Sequence, residues 1–173
     1  MKTGIRIREV EMSDAAGIAR VHVAAWRSAY RGLLPDSTLD RLSVEETEEH
    51  WRQRLADPWG DLLVLTRGEQ IVAFVGYGPT HDEGADAEKV GEIYVLYVAP
   101  DEWRRGHGMA LTQAALDDLR ASGRTEALLW VLHDNERAIA FYEATGFLAD
   151  GTTQVKERRD GTRMTVARYR RRL

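Results

Sequence analysis

The stretch that decides the fold is "YVAPDEWRRGHGMALTQAALDDL", residues 97–119. An apolar, strand-like run ends at a proline, two arginines lead into Gly-His-Gly, and a helix without proline follows. The first amides of a helix lack intrahelical partners and carry partial positive charge. With Arg104 and Arg105 beside Gly106 and Gly108, this junction suits an anion such as a phosphate or pyrophosphate. A Gly-x-Gly alone is also typical of an ordinary tight turn.

Two better-known phosphate-binding loops do not fit this junction. A P-loop needs Lys followed by Ser or Thr after the glycines, and neither follows here. A dinucleotide-binding loop needs a third small residue and an acidic residue about 20 positions further on. Asp117 and Asp118 fall too early for that role, within the predicted helix.

Length and charge indicate a single globular domain. The chain has 173 residues, enough for one domain, taken as residues 1–173, with a sizeable core. Its formal net charge of −4 argues against a nucleic-acid-binding protein, which would usually be basic. The basic tail "RYRRRL" is typical of a solvated terminus.

The residue types exclude several kinds of site. The chain has no cysteine, which removes disulfides, thiolate metal ligands and cysteine nucleophiles together. The five histidines form no recognisable metal-ligand pattern. The beginning lacks an apolar signal-peptide core, and no run approaches the roughly 20 apolar residues of a membrane span. We therefore expect a cytoplasmic protein without a metal, a membrane or a nucleic-acid partner.

Hydrophobic periodicity places strands and helices along the chain. Alternation predicts a first strand over 5–10, followed by a helix that ends near Tyr30. Ser43 followed by Glu46 is a capping-box signature for a second helix. Further strands are predicted at 61–66, 71–78, 90–100, 125–132, 147–151 and 162–170, and further helices after Gly108 and over 135–145. This order, β-α-α-β-β-β-α-β-α-β-β, predicts an α/β or α+β fold with helices on the faces of a sheet.

Two segments, 91–116 and 128–147, resemble the GNAT superfamily of N-acetyltransferases. The first is similar to the family's acetyl-CoA-binding motif: Gln or Arg, two residues, Gly, one residue, then Gly or Ala. Trp103 stands at the first position of that motif, which removes one side-chain donor. The second segment is similar to the family motif carried here by Asn135, Arg137, Ala138, Phe141, Tyr142, Gly146 and Phe147.

The resemblance implies a central mixed, mostly antiparallel sheet of about seven strands, flanked by about four helices. Strands 4 and 5 would splay into a V that holds acetyl-CoA, the implied cosubstrate. Backbone groups of the fourth strand would pair with the pantetheine arm as another strand would. The residues implied in cofactor binding are Leu96, Tyr97, Val98, Arg104, Arg105, Gly106, His107, Gly108, Met109, Asn135 and Tyr142.

Tyr142 is the candidate general acid, because the family carries a tyrosine at this position near the departing thiolate. A core tyrosine packed on Phe141 and Phe147 is the alternative, and the two roles are compatible. Asn135 either caps the last helix or bonds the pantetheine, or does both.

Glu92 is the candidate base, because its spacing from the loop matches the glutamate that serves as base in histone-modifying members. The alternatives are a solvated glutamate at a strand end and proton transfer through ordered water. Strand alternation predicts that Glu92, Tyr94, Leu96 and Val98 share one face.

The acceptor pocket is expected to lie against the first helix. His22, Trp26 and Tyr30 recur every four residues and share one stripe, and with Tyr94 they are the candidate acceptor-binding residues. A helical stripe of this kind is also typical of core. The acidic segment 81–88 would suit a polyamine or an aminoglycoside, although such loops are also simply solvated.

The resemblance implies direct transfer of an acetyl group, in a ternary complex, to a primary amine of a small molecule. The alternatives are acetylation of a protein or peptide N-terminus or lysine, and a non-catalytic acyl-CoA-binding module. Because dimers are common in the family, a homodimer is a further expectation.

Overall fold

The computed structural model describes residues 4–173. The strands are β1 (Ile5–Glu9), β2 (Asp61–Arg67), β3 (Gln70–Pro79), β4 (Val90–Val98), β5 (Glu126–Leu132), β6 (Leu148–Glu157) and β7 (Arg163–Arg172). The helices are α1 (Ala15–Ala29), α2 (Asp36–Asp40), α3 (Val44–Ala56), α4 (His107–Ala121) and α5 (Glu136–Ala144). Within this described range, no helix is long and apolar enough to cross a membrane.

The seven strands form one mixed sheet, in the order β1-β2-β3-β4-β5-β7-β6. Neighbouring strands are antiparallel except β4 and β5, which run parallel. The predicted fold class, with its mostly antiparallel mixed sheet, is therefore confirmed.

Three details of the sequence prediction are wrong. Residues 4–173 contain five α-helices rather than about four, because α2, a five-residue helix after Pro35, is too short to show a period. Strand β6 continues to Glu157 instead of ending at Gly151. Helix α4 begins at His107 rather than after Gly108.

Two apolar layers hold the helices on opposite faces of the sheet. On one face, α1 and α3 cover a core that contains Ile18, Trp51 and Phe74. On the other face, α4 and α5 cover a core that contains Leu116 and Phe147. Burying one such side chain contributes about 1.5–3 kcal/mol, so the helices that border the cleft described below are fixed to the sheet.

Strands β4 and β5 pair over only four positions, from Val90 with Glu126 to Ile93 with Leu129. Both strands continue beyond the last pair, to residues 98 and 132, with no hydrogen bonds between them. On its other side β4 stays paired with β3 as far as residue 98. The sheet therefore opens into the V that the resemblance implied.

A β-bulge makes the prediction of a shared face wrong. Val95 pairs with Gly76 and Ile93 pairs with Tyr77, so Tyr94 is an extra residue on β4. Because a bulge shifts the alternation by one residue, Leu96 packs against the core under α4. Tyr94 instead contacts Trp59, just beyond α3, at 4.6 Å between ring centroids.

Candidate functional site

A cleft of about 930 Å³ occupies the V between β4 and β5. Its walls come from the end of α1, the loop before α4, the start of α5 and the β6–β7 hairpin. The predicted site residues that line it are Trp26, Tyr30, Tyr94, Leu96, Tyr97, Val98, Arg104, Gly106, His107, Gly108, Met109, Asn135 and Tyr142. Glu92, Arg105 and His22 are not part of its lining.

The loop before α4 leaves three backbone amides free. Gly106 precedes the helix with a φ of 82°, a left-handed conformation that glycine adopts without strain. The first helical hydrogen bond runs from Ala110 N to Gly106 O, at 3.0 Å. The amides of 107–109 have no partner within residues 4–173, so they are available to an anion in the cleft.

A buried carboxylate holds this loop in place. Glu102 is 6% exposed, and its Oε2 lies 3.1 Å from His107 Nε2 and 3.6 Å from Arg105 Nε. Arg67 donates a hydrogen bond to the same oxygen. Arg105 and His107 are thus directed toward Glu102, which explains why Arg105 does not line the cleft.

The Arg137 guanidinium stacks on the Trp103 ring beside this loop. The Trp103 indole Nε1 donates to Val98 O at 2.8 Å, and the Arg137 guanidinium lies 3.5 Å from the ring centroid. Burial, and then the positive charge of Arg104, lower the pKa of Arg137. Neither arginine pairs with a carboxylate in the described chain, so both charges are available at this end of the cleft. Sequence reasoning named Arg137 as part of the family motif but assigned it no role.

Tyr142 lies on α5 with its half-buried ring in the cleft wall. The ring packs on Phe141 and Phe147, at 5.3 and 6.1 Å between centroids. Burial, with a smaller contribution from the Tyr30 phenol, raises the pKa of Tyr142 above its ordinary value. The hydroxyl is therefore protonated at neutral pH, as a proton donor must be. Packing against the core and access to the cleft thus occur together.

Asn135 caps α5, since its Oδ1 accepts a hydrogen bond from Ala138 N at 3.1 Å. The residue is buried and also lines the cleft. The cap uses only the side-chain oxygen, so the amide donors remain for a ligand.

Glu92 is buried at the closed end of the V, where β4 and β5 still pair. Its Oε2 accepts hydrogen bonds from Thr80 Oγ1 at 3.1 Å and from His81 N at 3.0 Å. Burial raises the pKa of Glu92, although these two hydrogen bonds oppose the shift. Glu92 thus has the raised pKa that a general base would have. It lies outside the cleft lining.

The aromatic stripe of α1 is divided between the cleft and the core. Trp26 and Tyr30 line the cleft and pack edge to face, at 4.8 Å between centroids. His22 lies behind them, stacked on Tyr97 at 5.0 Å, and its Nδ1 accepts a hydrogen bond from Trp51 Nε1 at 3.0 Å. Burial, followed by the charges of His50 and Arg158, lowers the pKa of His22 to about 4.

Two basic residues at the end of β6 lie at or beside the cleft, and sequence reasoning missed both: Lys156 lines it, and Arg158, just after the strand, stacks on the lining residue Trp26 without lining the cleft itself. Arg158 lies 4.7 Å from the Trp26 ring centroid, and Lys156 Nζ lies 5.8 Å from the Trp130 ring centroid. Lys156 is the last but one residue of β6, and Arg158 is the first residue after the strand. No signal in the sequence linked β6 to α1.

The arrangement matches one family. A profile described as the acetyltransferase (GNAT) family matches residues 22–147. The chain belongs to the acetyltransferase (GNAT) family. Within residues 4–173 this GNAT chain has no group of three His, Asp or Glu side chains placed to hold a metal ion.

The relatives of this GNAT chain are named acetyltransferases. It is 30% identical over 142 residues to the uncharacterized N-acetyltransferase YuaI of Bacillus subtilis, covering 81% of this chain and 78% of that protein. It is 35% identical over 169 residues to the mycothiol acetyltransferase of a Nocardioides species, covering 90% of this chain and 53% of that protein. The chain thus spans about half the length of that mycothiol acetyltransferase.

A solved structure shows the same GNAT fold. The PaiA N-acetyltransferase of Thermoplasma acidophilum, in complex with coenzyme A, aligns with a TM-score of 0.75 at 18% identity. The alignment covers 98% of this chain and 99% of that one. At that identity the likeness establishes the fold.

His22 gives a prediction about stability and pH. Its folded pKa of about 4 lies below the ordinary histidine value, so the unfolded chain binds more protons between about pH 6.5 and 4. Neutral His22 therefore contributes fully to the free energy of unfolding above about pH 6.5. This contribution is lost as the pH falls toward 4, by roughly 3 kcal/mol in all. Denaturant unfolding at pH 7 and pH 4.5 should show a smaller loss for His22→Gln than for the wild type. His133→Gln, a substitution of an exposed histidine, is the control, and equal losses in all three proteins would contradict the assignment.

Proposed function

We propose that this chain is an acetyl-CoA-dependent N-acetyltransferase that transfers the acetyl group directly, in a ternary complex, to a primary amine of a small molecule. One observation carries the proposal. The V between β4 and β5 ends at free helix amides and has the protonated Tyr142 in its wall. A cytoplasmic location and a homodimer stay predictions from the sequence.

The coenzyme would lie along the open edge of β4. Its pantetheine arm would pair with backbone groups of Leu96, Tyr97 and Val98, because that edge has no strand partner beyond Ile93. The pyrophosphate would bind the amides of 107–109 at the N-terminus of α4. Arg104 and Arg137 would add the side-chain charge that Trp103, in place of Gln or Arg, does not provide.

The reaction would need one proton donor and one proton acceptor. The neutral amine attacks the thioester carbonyl carbon, a tetrahedral intermediate forms, and the C–S bond then breaks. Tyr142 would donate its proton to the departing thiolate, which leaves as the thiol of coenzyme A, and the phenolate would regain a proton from the attacking nitrogen as the amide forms. A second group must take the proton that the ammonium form of the amine loses.

We propose Glu92 for that second role. Its pKa is raised by burial, which brings a carboxylate closer to the operating range of a general base. Both of its hydrogen bonds are made by Oε2, so Oε1 is free to accept a proton. Since Glu92 is not part of the cleft lining, the proton would reach it through a bridging water beside Tyr94.

The test of the proposed function is thiol release from acetyl-CoA with a panel of small amines, polyamines, aminoglycosides and peptides, comparing the wild type with Tyr142→Phe. We expect turnover on a small-amine class and a fall in kcat of at least about 10-fold in the variant, because general acids typically contribute 10²–10⁴-fold. Tyr169→Phe, a substitution of a core tyrosine outside the cleft lining, should keep wild-type turnover.

Each other outcome would select an alternative. Unchanged kcat in Tyr142→Phe would remove Tyr142 from the acid role while leaving the reaction standing. Turnover restricted to peptides would favour acetylation of protein amines. Tight coenzyme binding without turnover on any amine would favour a non-catalytic acyl-CoA-binding module.

The contact of Arg137 with Trp103 predicts a binding defect. Replacing Arg137 with Gln should raise the Kd for coenzyme A by roughly 10- to 100-fold, the equivalent of one charge-assisted hydrogen bond. Isothermal titration calorimetry measures the Kd directly. Arg120→Gln, at an exposed arginine paired with Asp117, is the charge-matched control. A Kd for Arg137→Gln within twofold of the wild type would show that Arg137 only packs on Trp103.

Glu92 predicts a change in the pH profile. As the pH falls through its raised pKa the carboxylate becomes protonated and cannot accept a proton, so wild-type kcat/KM should fall on the acid side. In Glu92→Gln this part of the profile should flatten and the rate near neutral pH should fall by about 10-fold or more. The glutamine oxygen can still accept the hydrogen bonds from Thr80 and His81. A variant with the wild-type profile would leave Glu92 only the role of holding residues 80 and 81.

A further inference from the structure

The acceptor end of the cleft, defined here as the surface formed by Trp26, Tyr30, Trp130, Lys156 and Arg158, is cationic and aromatic. Lys156 lies on β6 and Arg158 directly follows that strand, while Trp26 lies on α1, Tyr30 directly follows α1, and Trp130 lies on β5. The guanidinium of Arg158 lies over the Trp26 ring and the ammonium of Lys156 over the Trp130 ring, at 4.7 and 5.8 Å from the ring centroids.

Neither cation has an acidic partner. In the described chain, no carboxylate lies in ion-pair contact with Arg158 or Lys156. The Arg158 Nε is buried and makes no hydrogen bond. An unpaired buried donor is unfavourable, so the guanidinium has hydrogen-bonding capacity that no group of the described chain uses at this atom. Asp160, in the turn of the hairpin, accepts a hydrogen bond from Thr162 N at 2.9 Å, and the charge of Arg158 is a lesser cause of its lowered pKa, without ion-pair contact.

The other acidic groups near the cleft are paired or buried, except Glu136, which lines the cleft at the start of α5. Asp82 accepts hydrogen bonds from Trp130 Nε1 at 2.9 Å and from Arg168 Nη1 at 2.8 Å. Glu92 is buried behind Tyr94. Glu102, at the far end of the cleft, is paired with Arg67, Arg105 and His107. The acceptor end therefore has a positive charge that would repel a polyamine or an aminoglycoside.

The hairpin that carries the two cations is fixed against the first helices. Thr162, in its turn, and Thr38, in α2, lie 2.9 Å apart through their hydroxyl oxygens. The Arg158 amide donates to Thr162 O at 2.8 Å, which closes the turn. The guanidinium is thus held over the ring stripe of α1 by two anchored segments.

The acceptor end is connected to the proposed proton donor. Trp26 packs on Tyr30 at 4.8 Å between centroids, and Trp26, Tyr30 and Tyr142 all line the same cleft. A small molecule that reaches from Arg158 along these rings therefore extends toward the Tyr142 hydroxyl.

We propose that the acceptor is a primary amine that carries a carboxylate, such as an amino acid, and that Arg158 and Lys156 bind the carboxylate. This inference rests on the proposed function and names its substrate class. The planar fork of a guanidinium matches a carboxylate in two parallel hydrogen bonds. A carboxylate paired with Arg158 over Trp26 would direct the amine of the same molecule toward the thioester.

The test uses matched acceptors. Each of several L-amino acids is compared with its carboxamide, with its decarboxylated amine, and with an aminoalkyl phosphate of similar length, by thiol release from acetyl-CoA. A carboxamide lowers the pKa of the neighbouring amine and so supplies more of the neutral nucleophile. A preference for the free acid would therefore oppose intrinsic reactivity. We expect kcat/KM to be at least about 10-fold higher for the free acid than for the carboxamide or the decarboxylated amine, which both lack the carboxylate.

Variants of the two cations identify the binding groups. Arg158→Gln should raise the KM for the amino acid by about 10- to 100-fold, reduce the preference for the acid over the amide by a similar factor, and leave the KM for acetyl-CoA unchanged. Arg158→Lys should lie in between, because it keeps the charge and loses the fork. Lys156→Gln should show a smaller effect of the same kind. Arg159→Gln, an equal charge change at an exposed neighbour, should behave as the wild type.

The outcomes separate this inference from the proposed function. Equal turnover of acids, amides and decarboxylated amines would overturn the inference and leave an N-acetyltransferase of simple amines. Preference for the aminoalkyl phosphate, or an acid preference that survives in Arg158→Gln, would also overturn it. If no amine is acetylated, both proposals fail.

Discussion

The rest of the site depends on a gap in the sheet. Strands β4 and β5 stop pairing after Ile93 and Leu129, while β3 and β7 continue to occupy their outer edges. Backbone groups that are removed from water without a partner cost about 1–3 kcal/mol each. Beyond the last pair, the inner edges can be satisfied only from within the cleft. The protein itself supplies one such partner, since the Trp103 indole donates to Val98 O.

Glu102 decides how charge is distributed around the loop. A carboxylate this deeply buried is stable only with close cations, and Arg67, Arg105 and His107 all converge on its Oε2. This cluster directs two side chains of the Arg-Arg-Gly-His-Gly segment inward. What remains for an anion in the cleft is the helix amides together with Arg104 and Arg137, which approach from different elements. The binding surface is therefore assembled by the fold rather than by the motif alone.

The sequence placed the elements on the β4, α4 and α5 side of the cleft well and those on the α1 and β6 side poorly. The strand, the loop, α4 and α5 follow each other closely along the chain, so local patterns place Gly106, Asn135 and Tyr142 correctly relative to one another. The bulge at Tyr94 could not be read from alternation, because the extra residue is revealed only by the register with β3. The contact of Arg158 with Trp26 joins residues far apart in sequence, on elements that no motif connects. Helix α2 was missed because five residues are too few to show a period.

The two sides of the cleft also differ in what constrains their residues. The elements on the β4, α4 and α5 side of the cleft include buried positions such as Leu111, Leu116 and Phe147. At these positions a change of side-chain volume disturbs the core. Strand β6 is exposed at nearly every position, so its side chains can change with little effect on the free energy of unfolding. A strand of this kind can change Lys156, beside Trp130, while the sheet and the loop stay intact. Under the proposed function, acceptor preference would then depend on residues that contribute little to the stability of the fold, and such residues differ freely between proteins that share this fold.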